Sequence, residues 1–457
     1  MSRAGLAGLV AGLAVLVAAL IIPPPEGLSP AGWQTLGLAL MMAIWWSTEP
    51  VPIGITALLP LILLPLLGNG DIAVNAAPYG NPLVFLFLGG FLLAVAVQHW
   101  GLHRRLAWRV LRMVGTQPAR LVLGFMLAAG FLSMWISNTA AALLMLPVAL
   151  SVIAVTEGSD AAAQRRFALA LLLGLAYAAN IGGVGTLIGT PPNALLAGYL
   201  AERHGIDLSF ALWAAVGMPL VAVFLPLGWW VLARLVYPVA PDLMVGGQGD
   251  PLVALKPAPI GPAERRVALV FAAAALLWVT RPLLNRLPAL EGLSDAGIAL
   301  ACALALFLIP AGEARRFLLR WEEAKTIPWQ VLLLFGGGLS LAAAMDRSGL
   351  AQWIGAGFAG MGDVSPVVLL LALTATVILL TELVSNTAVV AALLPVMAGI
   401  AAGTGMDVVV LSAAVAMAAS CAFMLPAATP PNALVFASGH VTVAAMIRAG
   451  LVMNLLS

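Results

Sequence analysis

The chain has 457 residues, of which 62% are apolar and only 9% charged, and its mean hydropathy is +1.07. A soluble domain carries about 25% charged residues, so a water-soluble globular protein is excluded, and a net charge of +2 points to no nucleic-acid partner. The two cysteines, Cys302 and Cys421, lie in apolar stretches, which argues against a disulfide framework or a cysteine-based metal site.

In chain order, Arg3 precedes an apolar run over 6–22 that ends in Pro23-Pro24-Pro25 without a small-x-small cleavage site, so it reads as an uncleaved first helix rather than a secretory signal. Apolar spans follow near 33–48, 53–68, 82–99, 168–200, 209–233, 267–284, 295–310, 327–345, 409–438 and, short, from 442 to the end. Two further stretches, 121–155 and 364–402, carry Ser137-Asn138-Thr139 and Ser385-Asn386-Thr387 at their middles. Polar residues at the centre of so long a stretch fit a helical hairpin that enters and leaves on one side. The expectation is therefore an all-α polytopic membrane protein of about 11 transmembrane helices plus two re-entrant hairpins. With the N-terminus in the cytoplasm, 17 of the 21 Lys and Arg residues fall inside, leaving only Arg203, Arg281, Arg286 and Arg347 outside.

The sequence repeats itself. Gly89-Gly90, Gly101-Leu102, Ser137-Asn138-Thr139-Ala140 and Leu146-Pro147-Val148 recur 248 residues later as Gly337-Gly338, Gly349-Leu350, Ser385-Asn386-Thr387-Ala388 and Leu394-Pro395-Val396. Gly189-Thr190-Pro191-Pro192-Asn193-Ala194-Leu195 recurs as Ala428-Thr429-Pro430-Pro431-Asn432-Ala433-Leu434. An odd number of crossings separates equivalent points, so the repeat is inverted, an arrangement that puts a substrate site near the midplane where the halves meet. The Pro/Gly-rich segment around 240–262 reads as the linker between halves.

Successive prolines cannot sit inside a helix, so each Thr-Pro-Pro breaks its span, and each hairpin tip breaks the backbone again. Exposed carbonyls and Ser, Thr and Asn oxygens suit a hard cation such as Na⁺, while half-helix N-termini present N–H groups to an anion. The Asn amide has groups for both. Neither motif contains Lys, Arg or His, so an anion there would be held by dipoles and hydroxyls, with a nearby cation offsetting its charge. A lone Ser-Asn-Thr is ordinarily helix–helix glue, but two copies, each followed by Thr-Pro-Pro-Asn-Ala-Leu, point to a site. Glu382 lies in a hairpin arm, yet the repeat position holds Met134, leaving ion coupling and a structural role both open. Gly89-Gly90 and Gly336-Gly337-Gly338 read as close helix contacts, and Trp45-Trp46 and Trp229-Trp230 as interfacial belts. The four histidines are scattered at span ends in no recognisable catalytic or metal motif, which argues against an intramembrane hydrolase. An anion channel and an efflux carrier for another oxyanion are further readings.

The doubled Ser-Asn-Thr hairpins and Thr-Pro-Pro-Asn loops resemble the divalent anion:Na⁺ symporters of the solute carrier 13 type over nearly the whole chain. That resemblance implies no enzyme but a secondary transporter coupling Na⁺ to C4-dicarboxylates (succinate, malate, fumarate), with citrate, sulfate or sodium-independent dicarboxylate exchange as alternatives. It implies two or more sodium ions and no organic cofactor. One sodium site would use Ser133, Ser137, Asn138 and Gly189, the second Thr381, Ser385, Asn386 and Ala428. The anion would be held by Ser137, Asn138, Thr139, Thr190, Ser385, Asn386, Thr387, Thr429 and Pro430. It further implies a homodimer in the inner (plasma) membrane with an elevator motion. Its scaffold would be 1–115 and 264–348, its transport domain 116–240 and 349–457, with a cytoplasmic linker at 241–263.

Overall fold

The computed structural model describes residues 3–115, 117–157, 160–241, 243–245, 256–312, 316–358 and 365–457. Among them the regular structure is helical apart from a two-residue antiparallel ladder, Thr156–Glu157 with Met244–Val245, and a single antiparallel bridge between Pro310 and Phe317. Seven helices are long and apolar enough to cross a membrane: Pro82–His99, Ala161–Gly183, Phe210–Val236, Pro262–Leu284, Trp329–Arg347, Pro366–Leu383 and Asn386–Thr404. The eleven spans expected from hydropathy include segments that fall short of that length, because prolines and glycines break them. The stretch over 53–68 divides into Ile53–Thr56 and Leu59–Leu66, and the last helix, Val443–Leu456, has 14 residues. Of the linker expected over 241–263, residues 242 and 246–255 lie outside the described residues.

Both polar-centred stretches fold as two helices joined at the Ser-Asn-Thr motif. The first has arms Pro118–Ser133 and Asn138–Ala154, the second Pro366–Leu383 and Asn386–Thr404. Ser137 and Ser385 stand at the N-cap of each second arm, and Pro147 and Pro395 occupy equivalent interior positions. The Thr-Pro-Pro breaks are equally plain: Ala161–Gly183 ends before Pro191–His204 begins, and Val408–Ala418 before Pro430–Ala437. Proline at the first helical position costs no hydrogen bond, because that N–H has no intrahelical acceptor.

The chain divides into two compact units. One comprises Met1–Phe85, Pro191–Leu208 and Pro328–Ala419; the other comprises Leu86–Thr190, Ser209–Ile327 and Ser420–Ser457. In the second unit, Ala161–Gly183 packs on both arms of the first hairpin and on Pro430–Ala437. In the first unit, the second hairpin's arm Asn386–Thr404 packs on Val408–Ala418 and on Pro191–His204. Each unit thus holds one hairpin, the first part of that repeat's broken span, and the second part of the other repeat's broken span.

Glycine permits the tightest of these contacts. A Cβ on Gly182 would lie 2.1 Å from the carbonyl oxygen of Gly130, so the long helix and the hairpin arm touch backbone to backbone. In the first unit, a Cβ on Gly337 would sit 2.2 Å from Ala57 O. Trp45 and Trp46 correct the interfacial-belt expectation: Trp46 is 1% exposed and its indole donates to Ile53 O at 3.2 Å, so the pair fills an interior gap. The second unit also buries an ion pair, Arg281 Nε to Asp295 Oδ1 at 2.9 Å, with Phe210 N donating to Asp295 Oδ2 at 2.7 Å.

Candidate functional site

In the second unit the hairpin tip, the long helix and its break converge. Ser133, fully buried at the end of the first arm, donates from Oγ to Ala179 O at 2.6 Å. A hydroxyl has one proton, already given to that carbonyl. The Asn138 atom that approaches Ser133 Oγ at 2.6 Å is therefore the amide nitrogen, which also reaches Gly189 O at 3.2 Å and Ala179 O at 3.3 Å. Ser133, Asn138 and Gly189 are thus brought within hydrogen-bonding distance by three separate segments. This orientation turns the Asn138 amide oxygen away from Ser133. Ser137 caps its own helix, its Oγ accepting from Ala140 N at 3.3 Å.

The first unit builds the equivalent cluster. Thr381, 248 residues after Ser133 and also fully buried, lies with Oγ1 2.6 Å from the Asn386 side chain and 2.9 Å from Ala419 O. Its single proton serves Asn386 Oδ1 or Ala419 O, one at a time. Ser385 stands at its N-cap without a side-chain capping bond. Thr381, Ser385, Asn386 and Thr387 belong to this unit, whereas Ala428, expected beside them, belongs to the other.

Thr190 and Thr429, both 3% exposed, flank the two proline breaks. Thr429 Oγ1 accepts from Asn180 Nδ2 at 3.0 Å and from Asn432 N at 3.3 Å. Asn432 in turn donates to Ala422 O and Leu425 O, both at 3.1 Å, satisfying carbonyls freed where Val408–Ala418 ends. At the other break, Trp213 Nε1 donates to Val184 O at 2.8 Å and Thr186 Oγ1 donates to Met134 O at 2.5 Å, tying the unwound segment to the hairpin tip. Asn180, Trp213 and Thr186 were not singled out by sequence. Asn180 had a readable signal as a lone amide in an apolar run, while Trp213 and Thr186 act only through chain folding.

Helix starts at Asn138 and Pro430 lie in one unit, on helices that pack together, and those at Asn386 and Pro191 lie in the other, again on packed helices. Each pair presents unsatisfied N–H groups and positive dipole ends suited to an anion. Ser137, Thr139 and Pro430 are exposed, and Asn138, Ser385, Asn386 and Thr387 are half-buried, so these polar groups are open to a ligand. Among the described residues, no group of three or more His, Cys, Asp or Glu side chains could hold a metal ion. A cation held by the hydroxyl, amide and carbonyl oxygens named above would meet neutral ligands, which fits a monovalent hard ion and not a tightly held transition metal.

The fold is shared with solved transporter structures at low identity. The Alcanivorax borkumensis YdaH transporter superposes with a TM-score of 0.53 at 18% identity, covering 83% of this chain and 84% of that one. Neisseria gonorrhoeae MtrF, described as one of a class of antimetabolite efflux pumps, gives 0.55 at 15% identity, covering 100% and 92%. Curated relatives are far closer in sequence. A protein named sodium-dependent dicarboxylate transporter SdcS from Staphylococcus saprophyticus is 41% identical over 463 residues, covering 99% of this chain and 89% of the relative. One of the same name from Staphylococcus aureus is 40% identical over 470 residues, covering 100% and 89%. The family described as the sodium:sulfate symporter transmembrane region matches residues 3–457. With doubled hairpins, doubled proline breaks and this match over nearly its whole length, the chain belongs to the sodium:sulfate symporter family, the divalent anion:Na⁺ symporters, and is a multi-pass membrane transport protein.

Proposed function

We propose that this protein is a secondary active transporter that carries C4-dicarboxylates such as succinate, malate and fumarate together with sodium across the inner membrane. The observation that carries the proposal is the doubled cluster of a buried hydroxyl, a hairpin-tip asparagine and a carbonyl near the end of the following helix. It appears as Ser133 with Asn138 and Ala179 O, and again as Thr381 with Asn386 and Ala419 O. Relatives about 40% identical and named sodium-dependent dicarboxylate transporters support the sodium and the carboxylate.

In this reading, sodium binds first among neutral oxygens at Ser133, Ser137, Asn138 and Gly189, and at Thr381, Ser385, Asn386 and Ala428. Its charge then favours a dianion at the adjoining helix N-termini, where Ser137, Asn138, Thr139, Thr190, Ser385, Asn386, Thr387, Thr429 and Pro430 supply hydroxyls, amides and backbone N–H groups. Affinity for the anion without sodium is low, because no Lys, Arg or His lies in either motif. That difference is the coupling. The protein works as a homodimer with a cytoplasmic N-terminus. Residues 1–115 and 264–348 are the scaffold against which 116–240 and 349–457 move, and 241–263 is the connecting linker.

The test is uptake of labelled succinate into proteoliposomes. An inward sodium gradient should drive accumulation well above that seen with potassium, and Ser137→Ala or Asn386→Ala should abolish it. Sulfate uptake without succinate uptake overturns the substrate. Succinate exchange indifferent to sodium overturns the coupling.

A further inference from the structure

Outside the hairpin tips, the most chemically distinctive feature is a cavity of about 560 Å³ in the second unit, within the range of small-molecule sites of about 300–1,000 Å³. One wall is the helix Leu102–Val114, whose buried residues are Leu102, His103, Ala107 and Leu111 and whose exposed residues include Arg104, Arg109 and Arg112. The facing wall is the second arm of the first hairpin, with Leu143, Leu144 and Val148, and the mouth is bordered by Lys256–Pro259. Arg105 fastens this mouth. Its fork donates to Glu264 at 2.5 and 2.8 Å and to Ala258 O at 2.7 Å, tying the chain around 258 and the start of Pro262–Leu284 to the arginine-bearing helix.

The cavity is chemically two-ended. Glu264 is its one carboxylate and is consumed by Arg105, so Arg104 and Lys256 remain as exposed cations without a carboxylate partner among the described residues. Burial pushes the His103 imidazole below the usual range and the neighbouring Arg104 charge adds to that, against a contact with Val97 O. The other end is apolar and open: Leu143, on a hairpin arm, is 56% exposed. A small dianion would find cations at the mouth but mostly apolar side chains, Leu143, Leu144 and Val148 among them, beyond. A ligand with a phosphate at one end and hydrocarbon at the other matches both ends.

We propose that this cavity is a binding site for an anionic phospholipid, its phosphate between Arg104 and Lys256 and an acyl chain along Leu143, Leu144 and Val148. The internal repeat supplies a comparison within the same chain. At the equivalent positions Arg104 is replaced by Gln352, Arg105 by Trp353, and Leu143 and Leu144 by Ala391 and Ala392. The cavity beside those positions in the first unit carries Arg203 and Arg347, but Arg203 pairs with Asp346 at 2.5 Å and Arg347 bonds Asn75 Oδ1 at 2.7 Å. Its neighbours Ala351, Ala398 and Ala402 offer no apolar slot for a chain. Among the described residues, the first repeat's cavity thus sets exposed cations beside a leucine and valine wall, whereas the second repeat's arginines are held by Asp346, Asn69 and Asn75 beside alanines. In the orientation proposed above, the first repeat's site faces the cytoplasmic leaflet, whose surface potential is the more negative.

The full-length protein in a neutral detergent is melted with added phosphatidylglycerol or phosphatidylcholine, and native mass spectrometry counts retained lipid. Phosphatidylglycerol should raise the midpoint by about 3 °C or more and phosphatidylcholine much less. Arg104→Gln with Lys256→Gln should remove most of that rise and the retained phosphatidylglycerol. Arg120→Gln with Arg265→Gln, the same charge change at exposed positions outside the cavity, should keep both. All four positions are exposed, so both double variants should fold, and the unliganded midpoints verify it. Equal effects of the two lipids, or equal losses in the two double variants, overturn the site. So does an equal rise from glycerol phosphate, which would mark a soluble-anion pocket. The readout involves neither sodium nor transport, so its failure is separable from failure of the transport reading.

Discussion

Ser133 and Thr381 carry the same task with different side chains. Each is fully buried, and each sets one hydroxyl between a hairpin asparagine and a helix carbonyl. The shared requirement is a hydroxyl and not its particular carbon skeleton. Ser133→Thr should therefore keep sodium-dependent uptake close to the parent. Ser133→Ala removes the nearer of two side-chain donors to Ala179 O and a ligand oxygen, a loss of about 1–3 kcal/mol. The sodium concentration for half-maximal uptake should rise about tenfold in the alanine variant. A Ser133→Ala protein with unchanged sodium dependence would remove Ser133 from the ion site. Asn180 belongs to this scale too: its amide holds the hydroxyl of Thr429 across a sequence separation of 249. Nothing in the sequence pairs the two residues, because the partner comes from the other repeat.

At the scale of elements, the hairpins and broken spans were legible because proline is unambiguous. Thr190-Pro191-Pro192 and Thr429-Pro430-Pro431 break helices wherever they occur, and a Ser-Asn-Thr between apolar arms places its serine at the N-cap of the helix that follows. The amphipathic helix Leu102–Val114 escaped, since a hydropathy scan for spans passes over a short segment with four arginines. Packing between elements was legible only in part. Gly182 and Gly130 stood in apolar runs like many other glycines, yet their backbones are in direct contact. Replacing Gly182 by leucine forces the long helix off the hairpin arm. It should cost about 1–3 kcal/mol or more, read as a lower thermal midpoint in detergent together with lost uptake. An unchanged midpoint would show that the arm has room to move.

For the whole molecule, charge asymmetry makes the strongest claim. Placing 17 of 21 basic residues on the cytoplasmic side predicts the orientation of every span. With Cys302 and Cys421 replaced by serine, a cysteine at Pro257 should react with a membrane-impermeant maleimide only in inside-out vesicles. One at Arg286 should react only in right-side-out vesicles. Reaction of both from one side would overturn the odd crossing count between them, and with it the inverted repeat. By itself the sequence determined the solvent, the helical class, the doubled motif and the places where helices must stop, since these follow from local composition and from proline's missing N–H. The tertiary structure alone decided which segments share a unit. It brought Pro430–Ala437 to the first hairpin and Pro191–His204 to the second, each from the other repeat. It also decided which way the Asn138 amide faces and which cations are left unpaired. Those outcomes depend on contacts between residues far apart in the chain, and no local pattern encodes them.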